Sequence, residues 1–205
     1  DKAFDQACRA IKAALDDYPR EDHRHGIIHD CLPTPEGIAV CRDYHIQMPM
    51  QSAFIGWKQE PDDYLERILG HDRLEKLNPI KTFRDNTIVV SFGSDAPCTT
   101  PDPIAWMDKA VNNGNADQAV SVQDALRMCT YNGAWAAFDE QERGSLEAGK
   151  IADMAVLTEN PYTVPKDKLS CLRVERLYLG GKPYESCREN ILPMMLRGLT
   201  SRNKA

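Results

Sequence analysis

No stretch of this chain holds the run of about 20 apolar residues that a membrane-crossing helix requires, so a spanning helix is excluded. An excess of basic charge is missing too. Twenty-five Lys and Arg stand against 31 Asp and Glu, a net charge of −6. A nucleic-acid binder needs a basic stripe to displace counterions, so nucleic acid is excluded as a partner. There is no C-x-x-C pair, which leaves a zinc ribbon unsupported. The cysteines (Cys8, Cys31, Cys41, Cys98, Cys129, Cys171, Cys187) are odd in number, and a chain of 205 residues has no need of a disulfide framework. Reduced, mostly buried thiols in a cytoplasmic protein are the expectation. Repeats and low-complexity segments are also absent. What remains, 42% hydrophobic and 27% charged residues, suits a globular protein of one or two domains.

The pattern of apolar residues then sets the order of elements. Ala3, Phe4, Ala7, Cys8, Ile11, Ala14 and Leu15 recur at helical spacing from the first residues on. A chain that begins inside a helix is expected to be a piece of a longer protein. A short β-like run follows at residues 26–31, then a helix over 34–43 with Pro35 in its first turn, then a second short run at 45–50. This β-α-β alternation predicts a parallel sheet. Residues 51–58 have no period and read as a loop over one end of that sheet. Helices are expected at 62–69 and 80–84. The strongest strand, Thr-Ile-Val-Val-Ser-Phe at 87–92, is β-branched and apolar enough to be buried on both faces. Helices are predicted over 103–112 and, from a capping box at Ser121 to Asp124, as far as Phe138. Beyond Gly144 the character changes to a small antiparallel element, with strands at 152–157, 174–179 and 182–184 and a Gly180-Gly181 turn. Residues 190–205 read as a short helix and a basic tail.

Two positions stand out for chemistry. His29 closes the run Arg24-His25-Gly26-Ile27-Ile28-His29, near the C-terminal end of a predicted parallel strand. A histidine there is placed to ligate a metal; equally, it is a satisfied, partly buried histidine. Asp95 ends Gly93-Ser94-Asp95 directly after the strongest strand. Its carboxylate either ligates a metal and accepts a proton from water, or caps the turn that follows. Gly144 to Asp153 is a glycine-permitted turn with no chemistry of its own.

In this order, the motifs resemble the metal-dependent amidohydrolase superfamily, in the branch of N-substituted formamide deformylases and related deacylases. Arg24 to His29 matches its Arg-His-x-Ile-Glu-His on the sixth barrel strand. Gly93 to Pro97 matches Gly-Ser-Asp-Ala-Pro on the eighth, and Pro101-Asp102-Pro103 the Pro-Asp-Pro after it. Gly144 to Asp153 matches the Gly-Ser-Leu-Glu-x-Gly-Lys-x-Ala-Asp turn, and Val174 to Lys182 the Gly-Gly-Lys ending. Asp1 is similar to the last residue of the fifth-strand motif. Ile28 replaces the family's Glu, Asp30 an Ala, and Gln51-Ser52 a Gln-Pro. None of these removes a ligand, but they bear on substrate preference.

The resemblance implies an α/β fold: strands six to eight of a (β/α)8 TIM barrel over residues 1–140, part of a small β-sandwich over 141–189, and a tail over 190–205. It implies that the longer parent hydrolyses C–N bonds of small amides or N-acyl amines through metal-activated water. His29 and Asp95 would be ligands, with Asp95 also the catalytic proton shuttle. The ligand types suit Zn²⁺, with Fe²⁺ and Mn²⁺ as alternatives. Gln51, Phe54 and Trp57 either line the substrate site or cover the barrel end. The piece alone, with two ligands, is expected to hold no stoichiometric metal, to be inactive, and to form homo-oligomers through its open sheet edges. The competing reading is a non-catalytic scaffold or regulatory protein descended from such an enzyme.

Overall fold

A computed structural model describes residues 1–184, and the expected C-terminal helix and tail lie outside them. Helix α1 (Lys2–Asp17) is capped by the Asp1 carboxylate, and α2 (Pro35–Asp43) by the Thr34 hydroxyl on the Gly37 amide. The two helices lie close together because Gly37 has no side chain. A Cβ there would sit 2.3 Å from Phe4 Cε1. Thr34 also donates its hydroxyl hydrogen to Asp5, which ties the start of α2 to α1.

Between and beyond these helices runs a short parallel seam. Strand β1 (Met48–Met50) pairs in parallel with β2 (Val90–Phe92), Met48 opposite Val90 and Met50 opposite Phe92. On its other side the run into β1 meets the segment before His29. Gly26 bridges Gln47 in parallel, with Ile27 N–H donating to Gln47 O and Gln47 N–H donating to His25 O. Met48, Met50 and Val90 are buried, as strands covered on both faces must be. Helices α3 (Asp62–Leu69), α4 (His71–Leu74) and α5 (Ile80–Asp85) lead from β1 to β2, and α6 (Pro103–Val111), α7 (Val122–Cys129) and α8 (Tyr131–Ala136) follow it. Asp102 and Ser121 cap α6 and α7. One apolar core runs from Phe4 and Cys41 through Met48, Phe83 and Val90 to Met107, Met128 and Leu169. The last element is an antiparallel sheet of β3 (Met154–Leu157), β4 (Val174–Leu179) and β5 (Lys182–Pro183), closed by Gly180 and Gly181 at positive φ.

Three expectations need correction. The run at 26–31 is a single bridge and not a strand, because it has a partner on one side only and His29 leaves the extended region at φ 62°. The strands expected at 45–50 and 87–92 are shorter than drawn, because pairing between them begins only where the Met48 amide donates to the Val89 carbonyl. The long helix from Ser121 breaks into α7 and α8 at Thr130, whose hydroxyl bonds the Leu126 carbonyl while its backbone turns to φ −126°, ψ −89°. The thiols also differ from expectation: Cys8 and Cys41 are buried, while Cys98 and Cys171 are exposed.

The N-terminal end of the seam is held by Arg24. Its guanidinium lies between the rings of Trp135 and Phe138, at 4.6 and 4.1 Å. It donates to both Glu140 oxygens at 2.7 Å, to Asp22, and to the Trp135 carbonyl. Both side chains of the Arg24–Glu140 pair are nearly buried, so either group alone would be an uncompensated charge. Those hydrogen bonds hold the Glu140 carboxyl below the usual carboxylate range. The pair's contribution is therefore full above the ordinary glutamate pKa and disappears as pH falls through the lowered value. Glu140→Gln should lower Tm at pH 7 by roughly 5–10 °C. Differential scanning fluorimetry should show the gap closing below about pH 4.

Among the described residues the seam also leaves two edges open, the Gly26 side and the outer side of β2. Open edges recruit further strands. Light scattering at micromolar concentration is expected to find a dimer or larger assembly of this chain, and a stable monomer would contradict it.

Candidate functional site

The parallel register decides where the polar residues go. His29 lies three residues past the Gly26 bridge and Asp95 three past Phe92, so both emerge at the same, C-terminal end of the seam. Both backbones then turn through the left-handed region, His29 at φ 62° and Asp95 at φ 52°. A non-glycine residue there carries strain, which concentrates at functional positions. The turns aim the side chains at each other: His29 Nε2 lies 3.6 Å from Asp95 Oδ2, and each side chain is close to half-exposed. At that separation the contact is a loose ion pair at best, which leaves both donor atoms open to a third group.

The Asp95 turn is built locally. Ser94 Oγ accepts from the Ala96 amide, the Cys98 amide donates to Asp95 O, and Thr99 donates its hydroxyl to Ser94 O. The Asp95 charge, at the mouth of this turn, pushes the Cys98 thiol up.

Aromatic residues wall the pair on one side. Phe54 lies 5.8 Å from the His29 ring, and Trp57 meets Phe54 edge-on at 4.8 Å. Their loop begins with a single 3-10 turn at Ser52–Phe54, anchored by buried Ser52, whose hydroxyl donates to the Trp106 carbonyl at 2.9 Å. Gln51 stands one residue before that turn, half-buried, and among the described residues its side chain has no hydrogen bond. Of the sequence-selected residues, then, His29, Asp95, Phe54 and Trp57 are brought together, and Gln51 is at the margin.

Sequence reasoning passed over two residues here. Ser52 was noted only as a substitution, yet it fixes the aromatic loop to α6. Asp30, also noted as a substitution, is buried at 7% exposure with Oδ2 unpartnered, beside a cavity of about 330 Å³ lined by Phe4, Ile27, His29 and Leu32. Burial pushes its carboxyl up to about 7. A charged residue after an apolar Ile27-Ile28 pair was the available signal. The remaining histidines go elsewhere: His23 bonds the Tyr44 carbonyl and stacks on His25 at the other end of the seam, and His71 pairs with Glu66 and Glu75 on the surface.

An imidazole nitrogen and a carboxylate oxygen 3.6 Å apart fit two corners of one coordination sphere, whose bonds are about 2.0–2.2 Å each for Zn²⁺. No group of three His, Cys, Asp or Glu residues placed to hold a metal is found among the described residues.

With that geometry in place, comparison with known proteins adds its part. The amidohydrolase family model matches residues 1–184. Among curated relatives, the N-substituted formamide deformylase of Arthrobacter pascens is 35% identical over 132 residues, 61% of this chain and 22% of that protein. The Bacillus subtilis protein YtcJ is 26% identical over 192 residues, 87% of this chain and 35% of its own length. The chain thus spans about a fifth to a third of the length of these relatives. Among solved structures, a metal-dependent hydrolase from Pyrococcus furiosus superposes with TM-score 0.68 and 25% identity, over 80% of this chain and 32% of that one. An adenosine deaminase from Xanthomonas campestris, solved with bound zinc, superposes with TM-score 0.60 at 18% identity, over 94% of this chain and 45% of that one; at this identity the likeness concerns the fold.

Two ligands alone would hold a cation weakly, because water competes for every open position. Elemental analysis of the 205-residue chain, prepared without chelators, should therefore find well under one zinc per chain. One tightly held zinc would mean that a further ligand had been overlooked.

Proposed function

The chain belongs to the amidohydrolase family, and from that premise we propose that it is the C-terminal part of a metal-dependent hydrolase of C–N bonds in small amides or N-acyl amines. The carrying observation is the approach of His29 Nε2 to Asp95 Oδ2 across neighbouring strand ends. On this reading the seam is strands six to eight of a barrel, the antiparallel sheet belongs to a second, smaller domain, and the rest of the site lies on a preceding segment. The A. pascens relative, a deformylase of N-substituted formamides, favours an amide substrate.

His29 and Asp95 would hold a divalent cation, Zn²⁺ by the character of the donors, with Fe²⁺ or Mn²⁺ also accommodated. When bound, the cation supplies Lewis acidity that polarises the substrate carbonyl and makes water a better nucleophile. The chain's own residues do the remainder. Asp95, about half-exposed, accepts the proton of the attacking water at a carboxylate oxygen and passes it to the departing amine nitrogen. His29 keeps Nε2 directed at the same point. Phe54 and Trp57 cover the acyl or amine substituent and exclude water from that side. Ser52 fixes the loop they stand on. Gln51 is positioned at the edge of this wall.

The test compares two proteins. The 205-residue chain alone should not hydrolyse N-substituted formamides. The chain extended at its N-terminus to the length of its relatives should take up a divalent metal and hydrolyse them, and Asp95→Asn in it should reduce kcat by about 10²–10⁴. A folded, extended protein that takes up metal but turns over no amide would favour the non-catalytic scaffold reading.

A further inference from the structure

A cysteine pair lies outside the site yet is connected to it. Cys8, on the inner face of α1, and Cys41, in the last turn of α2, are buried at 1% and 0% exposure, with their sulfurs 3.5 Å apart. Cys8 also points its thiol at the Gly37 carbonyl, 3.8 Å away, a contact that directs the sulfur toward α2. The helices are held in close approach by Phe4 over Gly37 and by the Thr34–Asp5 hydrogen bond. To bond, the sulfurs must close from 3.5 Å to the roughly 2.05 Å of a disulfide. The chain enclosed between them, residues 9–40, includes both Arg24 and His29. That segment is attached to the rest of the fold by the Gly26 bridge, by the Gln47 side-chain amide donating to the Arg24 carbonyl, by the Arg24–Glu140 pair and by the Asn78 amide donating to the Cys31 carbonyl.

We propose that Cys8 and Cys41 form a redox latch, in which a peroxide converts the pair to an intramolecular disulfide that fastens α1 to α2 and stiffens the segment carrying His29. One thiolate attacks a peroxide oxygen; the O–O bond breaks, a sulfenic acid forms and water leaves. The second thiolate attacks that sulfur, the S–S bond forms and the S–OH oxygen departs as water. The two sulfurs lose two electrons, the peroxide gains them, and both thiol protons finish on water.

Burial pushes both thiols up, so the reactive thiolate is scarce at neutral pH. Latching is accordingly slow at pH 7, and its rate rises about tenfold per pH unit toward pH 9. Cys31 and Cys129 are likewise raised by burial, to about 11 and about 12, but among the described residues neither makes a contact with a second sulfur.

The experiment treats the full chain with hydrogen peroxide and maps tryptic peptides without reduction. The expected product joins the peptide of residues 3–9 to that of residues 25–42, with fragmentation placing the link on Cys41 and not Cys31. The chain should lose two hydrogens in mass per link, gain roughly 5–10 °C in Tm, and revert with dithiothreitol. Hydrogen exchange over residues 21–34 should slow in the linked form, and Cys41→Ala should show neither the link nor the Tm gain. Oxidation confined to exposed Cys98 and Cys171, with Cys8 and Cys41 recovered as free thiols, overturns the proposal. So does a link that leaves exchange over 21–34 unchanged. The peptide map of the unsubstituted chain is decisive even where Cys41→Ala does not fold.

Discussion

Parallel pairing around β1 is the constraint from which the rest follows. With Gly26 opposite Gln47 and Met48 opposite Val90, the three segments run in one direction and end at one rim. Antiparallel pairing would have sent either His29 or Asp95 to the far end, about 3.3 Å further away per residue. The pairing also forces a helix into each connection, because parallel neighbours need a crossover. Of the buried side chains around the seam, Phe83 comes from α5 in the connection from β1 to β2, and Met107 from α6 beyond β2. The site is thus a consequence of topology before it is a matter of ligands.

The seam is short, and contacts at its two ends compensate. At the N-terminal end, Arg24 packs against two rings and is held by Glu140, so the segment leading to the Gly26 bridge is bound to the segment after α8. At the C-terminal end, Ser52 ties the aromatic loop to α6, while Asn132 reaches from α8 to the Val90 carbonyl at the start of β2. These bonds join segments far apart in sequence. They are worth most where a ladder is too short to specify register alone.

How much of this could be read from the sequence varies with the range of the interaction involved. The helices at 2–17, 35–43, 62–69 and 103–111 follow from apolar spacing and local caps, and their boundaries were legible to within a residue or two. The hairpin at Gly180-Gly181 was legible for the same reason. Strand lengths were not, because an extended run becomes a strand only when a neighbour pairs with it, and residues 26–31 have a neighbour on one side. The break at Thr130 depends on one hydroxyl competing for a helical carbonyl. As for the site, His29 and Asp95 are ambiguous individually. A family resemblance joined them, and their 3.6 Å approach is a property of the fold. The Ser52, Arg24–Glu140 and Cys8–Cys41 contacts left no local pattern to find.

The account's central claim is that His29 and Asp95 are two corners of one cation site. Nitrogen-detected NMR of the ¹⁵N-labelled histidines during a Zn²⁺ titration of this chain addresses it most directly. The account predicts that the His29 Nε2 resonance shifts, that the response saturates only far above the protein concentration, and that Asp95→Ala abolishes it while His71 is unaffected. A His29 resonance indifferent to Zn²⁺, or a shift that survives Asp95→Ala unchanged, would contradict it.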